Sequence, residues 1–323
     1  MHNVQNERQG AVRRLSDATP RLGIVSAFGA EADMLVAQTD EAQTWLINGN
    51  RFVAGRLRGN DVVIVLCGVS MVNAAMVTQI MLDHFHVERL LMSGIAGGVD
   101  PECQVADVMV PERWVTPMEV YWSNDGCVPA PCGTPGDLAP LGLRLACDAD
   151  GKPHADYRID TPFGPIATGL FMRDTYVMRE GSGAEGEFRF DFPVDPEMLA
   201  VARALRPALR RTGPREMAVA VSHDPRLVVG GTGASCGAFL ANPAYRSYLQ
   251  QALQVRVLDM ETASLAQVAY ANRVPYLAFR SLSDAAGGDH SRDVGAFFGS
   301  GLAEANASAV TLAFLGAWAD RPR

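Results

Sequence analysis

The sequence predicts an α/β protein of three layers, αβα, around a central mixed, largely parallel sheet. Three observations carry that expectation. Apolar runs of strand length, Arg21–Phe28 (RLGIVSAF) and Asp61–Leu66 (DVVIVL), are followed by helical spacing over Met71–Phe85. Short strands then return at Glu88–Met92 and Asp107–Val110, with glycine-containing turns between. The same alternation closes the chain: Val255–Met260, Glu261–Asn272, Pro275–Ser281 and Val294–Trp318 read strand, helix, strand, helix.

Residues 1–20 (MHNVQNERQGAVRRLSDATP) are polar and hold no apolar run, so they read as a flexible lead-in rather than a secretion signal. Residues 21–323 then form a single domain. Within it, about 120–192 is rich in Gly, Pro and Asp and too long for an ordinary connection. It reads as an insertion with a few strands of its own, serving as a lid, an oligomer contact or both. Regularity resumes with a helix over Pro196–Arg206, where Asp195 suits the N-cap and Pro196 the first helical position. A strand at Arg226–Val229 leads into the Gly-rich GGTGASCGAF, and Asn242 and Pro243 open a helix that runs to Leu253. No internal repeat is visible.

Composition narrows the function classes. Of 323 residues, 48% are hydrophobic and 20% charged, with mean hydropathy +0.04, as in soluble globular proteins. A net charge of -8 lacks the basic footprint that phosphate neutralisation needs, so no nucleic-acid partner is expected. No segment has the length and apolarity of a membrane span. The six cysteines are scattered without a CxxC. Cys127 and Cys132 are near enough in sequence to pair, but a chain without a secretion signal favours free thiols. His84 and His86 have no third ligand nearby and HExxH is absent, so neither metal nor cofactor is expected. His223 and His290 flank loops and receive no role.

Four places bring polar groups to the ends of apolar strands, where ligands bind in open α/β sheets. Glu31 follows the first strand; it suits a helix N-terminus or a general base. The small residues of SGIAGGV, Ser93–Val99, make a tight turn or let backbone approach a ligand. In LDMETASLAQ, Asp259 ends a strand and Glu261 begins a helix; these acids either cap the helix or face a cleft. In YLAFRSLSDAAGGD, Arg280, Ser283 and Asp284 follow a strongly apolar strand. An arginine there needs a carboxylate or an anion, in a structural pair or a catalytic one.

These four motifs, GIVSAFGAE, SGIAGG, DME and RSLSD, stand in the order seen in the nucleoside phosphorylase/nucleosidase superfamily. The chain resembles that superfamily from about Leu22 to Val115 and from about Pro193 to the C-terminus. Within it, the sequence is similar to the 5'-methylthioadenosine/S-adenosylhomocysteine nucleosidases. PERWVTPMEVYW, FDFPVDPEMLAVARAL and GGTGASCGAFLANPAYRSYL resemble their longer branch, which includes plant bark and vegetative storage proteins.

The resemblance implies a nucleoside phosphorylase-like fold. It also implies hydrolysis of the N-glycosidic bond of adenine nucleosides, with release of adenine, in methionine salvage. It implies that Asp284 protonates the purine, that Ser283 orients Asp284, that Glu31 activates the attacking water, and that Arg280 lies near that water and the acid. Glu261 grips the ribose hydroxyls, Met260 packs on the sugar, Phe239 and Leu240 meet adenine, and Gly97 lies in the Gly-rich turn beside the ligand. Ile95 stands where many nucleosidases carry a serine near the water. Met92 stands where phosphorylases carry the arginine that holds phosphate, and methionine offers a dianion nothing.

The expected partner is a small-molecule purine nucleoside, and the expected state a cytoplasmic homodimer. Two alternatives stay open: a purine nucleoside phosphorylase, and a non-catalytic nucleoside-binding protein on the same fold, which Ile95 motivates. A dinucleotide-binding oxidoreductase is disfavoured, because the glycines of GGTGASCG do not give GxGxxG.

Overall fold

The computed structural model describes residues 16–123, 142–144, 159–161, 164–166, 169–172, 174–179, 181, 185–215, 219–287 and 299–321. The first half runs β1 (Asp17–Ser26), α1 (Gly29–Val36), β2 (Asp40–Ile47), β3 (Asn50–Leu57), β4 (Asn60–Leu66), α2 (Met71–His84), β5 (Phe85–Gly98), β6 (Val108–Val110) and β7 (Arg113–Val115). Seven short strands follow: β8 (Val120–Ser123), β9 (Gly142–Arg144), β10 (Ile159–Thr161), β11 (Gly164–Ile166), β12 (Gly169–Met172), β13 (Thr175–Val177) and β14 (Glu187–Arg189). The second half runs β15 (Asp191–Pro193), α3 (Pro196–Ala204), β16 (Leu227–Val229), β17 (Thr232–Ser235), α4 (Pro243–Leu253), β18 (Val255–Asp259), α5 (Thr262–Ala271), β19 (Tyr276–Asp284) and α6 (Leu302–Ala319).

Twelve strands form one mixed sheet, with the path β15-β7-β17-β18-β5-β1-β4-β3-β2 and with β19, β6 and β16 branching from β5. β5 is its axis. It pairs in parallel with β1 and β19, and its last residues turn to pair antiparallel with β18, Gly98 against Val257 and Gly97 against Leu258. The strands from 120 to 189 pair only among themselves in sheets of two or three strands.

Helices cover both faces. α6 lies on β5 and β19, where Phe314 packs 5.3 Å from Phe279 and Thr311 Oγ1 meets Ser93 Oγ at 2.9 Å. α2 and α5 pack together on the other face, linked by Asn272 Nδ2 donating to Gln79 Oε1 at 2.8 Å. The core between is apolar: Ile24, Val25, Leu90, Leu91, Met92, Leu277 and Phe279 are all fully buried. Met92 is therefore a core residue, packed in the sheet and not at its edge.

Both helix starts expected from sequence form by the expected chemistry. Asp195 Oδ1 accepts from Met198 N at 2.8 Å and Asn242 Oδ1 from Tyr245 N at 2.9 Å, with proline at the next position in each.

Three expectations need correction. β1 begins at Asp17, ahead of Pro20, and its register against β5 shifts between Asp17, Arg21 and Leu22. A proline has no N–H for the ladder, and that irregularity accommodates it. SGIAGG is not a turn: Ser93–Gly98 continue β5 as strand. The Gly-rich stretch 230–239 likewise holds a central strand, β17. A Cβ at Gly233 would lie 2.7 Å from Trp114 Cδ2, so glycine there admits the fully buried indole. Two further strands, β2 and β3, arise where no element was expected; they form a hairpin across Asn48–Gly49, both at positive φ.

Cys67, Cys103 and Cys236 are free, and Cys127 and Cys132 lie outside the described residues. No described helix is long and apolar enough to cross a membrane.

Candidate functional site

The C-terminal ends of β1, β4, β5, β17, β18 and β19 surround a cavity of about 180 Å³. Its walls include Phe28 and Glu31 after β1, Val69 after β4, and Ile95 and Gly97 on β5. Phe239 and Leu240 follow β17, Met260 and Glu261 follow β18, and Ser283 and Asp284 end β19. Sequence positions from 28 to 284 thus meet at one place because β5 and β18 approach each other tip to tip. Every candidate residue except Arg280 lines this cavity.

Glu31 is the third residue of α1, and its carboxylate reaches back over the helix start. Oε2 accepts from the backbone N–H groups of Ala27 (2.6 Å) and Phe28 (3.1 Å), and Oε1 accepts from Ile95 N (2.8 Å). Burial raises its pKa, against the pull of Arg280 and these amides, to about 7. Ile95 thus serves the carboxylate through its main chain, a role its apolar side chain leaves intact.

Glu261 begins α5. Its Oε1 accepts from Ser70 N at 2.8 Å and its Oε2 lies 3.3 Å from Arg280 Nη2. Ser70 holds φ at 89°, sparsely populated for a residue with a side chain, to aim that amide. Burial raises the Glu261 pKa, Arg280 opposes that, and neighbouring Asp259 adds to it.

Arg280 is completely buried beneath the cavity floor rather than on its wall. Its Nε lies 2.6 Å from Asp259 Oδ2, and its Nη1 lies 3.9 Å from Glu31 Oε1. One guanidinium therefore joins three carboxylates, the neighbouring Asp259 and Glu261 and the distant Glu31.

Asp284 is 6% exposed. The register of β19 against β5 shifts between Leu282 and Asp284, and this irregularity presents both Ser283 and Asp284 to the cavity. Asp284 Oδ1 accepts from Ala286 N at 2.8 Å; Ser283 Oγ lies 2.8 Å from Asp284 Oδ2 and 3.2 Å from the Ala96 carbonyl. A Cβ at Gly97 would stand 3.0 Å from Asp284 Oδ1, so glycine leaves the carboxyl its room.

The sequence assigns no individual part to Ser70, Thr262 or Gly94, and reads Asp259 only as an acid that caps a helix or faces a cleft. Ser70 and Thr262 supply donors, Asp259 supplies the anion closest to Arg280, and Gly94 supplies space. A Cβ at Gly94 would overlap Glu31 Oε1 and Arg280 Nη1 and lie 2.7 Å from Glu31 Cδ. Gly94→Ala is accordingly expected to destabilise the protein by about 1–3 kcal/mol through forced displacement of buried groups. Thermal unfolding checks this; a protein melting at the wild-type temperature would contradict it.

Among the described residues no group of three or more His, Cys, Asp and Glu side chains is placed to hold a metal ion. His223 Nε2 stands 3.9 Å from Asp107 Oδ1 and does not line the cavity, and His290 lies outside the described residues.

A cavity at strand ends, walled by acids, aromatic and aliphatic groups, defines an α/β protein with a small-molecule site. The sequence profile of the phosphorylase superfamily matches residues 21–315. The chain belongs to that superfamily.

The 5'-methylthioadenosine/S-adenosylhomocysteine nucleosidase of Bacillus thuringiensis strain Al Hakam is 29% identical over 188 residues, 57% of this chain and 78% of the relative. Among solved structures, the nucleosidase of the same description from S. pneumoniae, with a transition-state inhibitor, superposes with TM-score 0.60 at 21% identity, over 92% of this chain and 99% of the other. That of Colwellia psychrerythraea 34H, in complex with adenine, gives TM-score 0.61 at 22% identity, over 93% and 96%. The two structures share the fold.

Proposed function

We propose that the protein hydrolyses the N-glycosidic bond of adenine nucleosides such as 5'-methylthioadenosine and S-adenosylhomocysteine, releasing adenine. The observation that carries this is the convergence of Glu31, Glu261 and Asp284 on one cavity. Breaking a glycosidic bond needs an acid on the leaving group and a base on water, on either side of an oxocarbenium-like sugar. Asp284 is the acid, delivering a proton to N7 as negative charge builds on adenine. The Ser283 hydroxyl has one proton and two acceptors in reach. Donated to the Ala96 carbonyl, it leaves Asp284 holding its own.

Glu31 is the base. Oε2 already accepts two amides and Oε1 one, which leaves a single acceptor site on Oε1 for a water. Glu261 takes the ribose hydroxyls, Met260 packs on the sugar, and Phe239 and Leu240 hold the base. Gly97 keeps the wall beside Asp284 thin. Arg280 acts from below, through Glu31 and Glu261.

Among the described residues the cavity lining contains no cationic side chain, which favours water over phosphate as nucleophile. The reading extends to a cytoplasmic homodimer working in methionine salvage, built as one domain with the 120–192 segment as an insertion. Val72 and Met76 on α2 are 77% and 50% exposed, beside Val69 at the cavity edge, an apolar face suited to a second copy.

Adenine release from methylthioadenosine, adenosylhomocysteine, adenosine and inosine tests the proposal. The three adenine nucleosides are expected to be cleaved in preference to inosine. Preference for inosine, or no cleavage, would refute it.

A further inference from the structure

Arg280 brings one positive charge to three carboxylates, and its distances to them are unequal: 2.6 Å to Asp259, 3.3 Å to Glu261 and 3.9 Å to Glu31. On the nucleosidase reading, two of these acids change partners during turnover. Glu31 takes a proton from water and Glu261 receives sugar hydroxyls. Asp259 is bonded differently. Its Oδ1 accepts from the hydroxyl of Ser235 and from the amides of Glu261 and Thr262, both at 3.1 Å. Its Oδ2 accepts from the hydroxyl of Thr262 and forms an ion pair with Arg280 Nε at 2.6 Å.

Four internal hydrogen-bond donors fill the acceptor sites of these two oxygens, and the guanidinium stands against Oδ2. The same bonds tie the end of β18, the start of α5 and β19 into one unit. Thr262 Oγ1 also accepts from Arg280 Nε at 2.9 Å, so the guanidinium is gripped at its Nε edge.

Resting on the proposed nucleosidase activity, we propose that Asp259 is a positioning residue. It is the fixed counter-ion that clamps Arg280 against β18, so that the guanidinium supports Glu31 and Glu261 without closing an ion pair onto the base.

Without that clamp, Arg280 is free to move toward Glu31 and pair with it. The charged group facing Glu31 is Arg280 from β19, which Asp259 from β18 and Glu261 from the start of α5 share. Cys67 joins them from the turn after β4; burial pushes its thiol up to about 12, so it stays neutral in any ordinary assay. Removing the Asp259 charge makes this surrounding more positive. The ionised form of Glu31 is then favoured and Glu31 becomes a weaker base.

The test is the pH dependence of kcat/KM for methylthioadenosine, compared between wild type, Asp259→Asn and Asp259→Glu. Asp259→Asn is expected to move the acid limb down by about one pH unit, the size expected for loss of one nearby charge. Asp259→Glu keeps the charge and is expected to keep the limb within a few tenths of a unit of wild type, whatever its kcat. If Asp259→Asn does not fold, Thr262→Val loosens the same clamp by removing the hydroxyl shared by Asp259 and Arg280. It is expected to move the limb down by a smaller amount. A folded, active charge-removing variant with lower kcat and an unmoved limb would overturn the proposal, because a merely structural role predicts that result. A wild-type protein that releases no adenine would instead overturn the nucleosidase reading itself, and this proposal with it.

Discussion

Asp284→Asn is expected to lose roughly 100- to 10,000-fold in kcat, the range for removal of a general acid, while still binding adenine. The substitution spares the geometry. An asparagine keeps an oxygen for Ala286 N, now 2.8 Å from Asp284 Oδ1, and turns its amide nitrogen to Ser283 Oγ, which can accept. What disappears is the proton that the departing adenine takes up. Single-turnover rates and equilibrium binding of adenine, measured on the same preparation, separate the two effects. A near-normal rate would remove Asp284 from the chemistry; loss of binding with rate intact at saturation would make it a recognition group only.

Glu31→Gln is expected to reduce kcat by a comparable factor, for the complementary reason. Glutamine retains an acceptor for Ala27 and Phe28 but places an NH2 group where Oε1 now accepts from Ile95, 2.8 Å away. No site remains to take a proton from water. The wild-type pH profile follows from the same carboxyl. Its pKa is raised to about 7, chiefly by burial, and a base must be ionised to work. Activity as kcat/KM is therefore expected to rise about tenfold per pH unit up to neutrality and flatten above it. The residual rate of Glu31→Gln should lack that limb. A variant of unchanged rate, or one that keeps the limb, would mean that the water is activated elsewhere.

Much of the site was legible in the sequence because its chemistry falls where strand patterns end. Glu31, Glu261, Ser283 and Asp284 each follow an apolar run, and all line the cavity. The strand and helix order around them was legible for the same reason, and Asp195 and Asn242 gave their helix starts by capping chemistry alone. The glycines misled. Gly94 and Gly233 look like turn formers, yet both sit in strands of the main sheet, where a side chain, Glu31 in one case and Trp114 in the other, needs the space of a missing Cβ. Only tertiary contact distinguishes that use of glycine from a turn.

Arg280 was legible as an arginine needing acids, but not as a group beneath the floor, since its three partners lie on different strands and helices. Asp259 was hidden by a simpler explanation, an acid before a helix, which is true of its bonds to Glu261 and Thr262 and leaves out its contact with Arg280. Ser70 carried no signal at all, because its part is played by a backbone amide at positive φ. The hairpin of β2 and β3 was readable from Asn48–Gly49. It was obscured by a first strand that is almost wholly exposed and so lacks an apolar face.

The sugar product formed from methylthioadenosine in phosphate-containing buffer tests the central claim most directly. Water attacking under the control of Glu31 predicts free methylthioribose together with adenine, at a rate independent of phosphate. A phosphorylated sugar, formed in proportion to added phosphate, would contradict it.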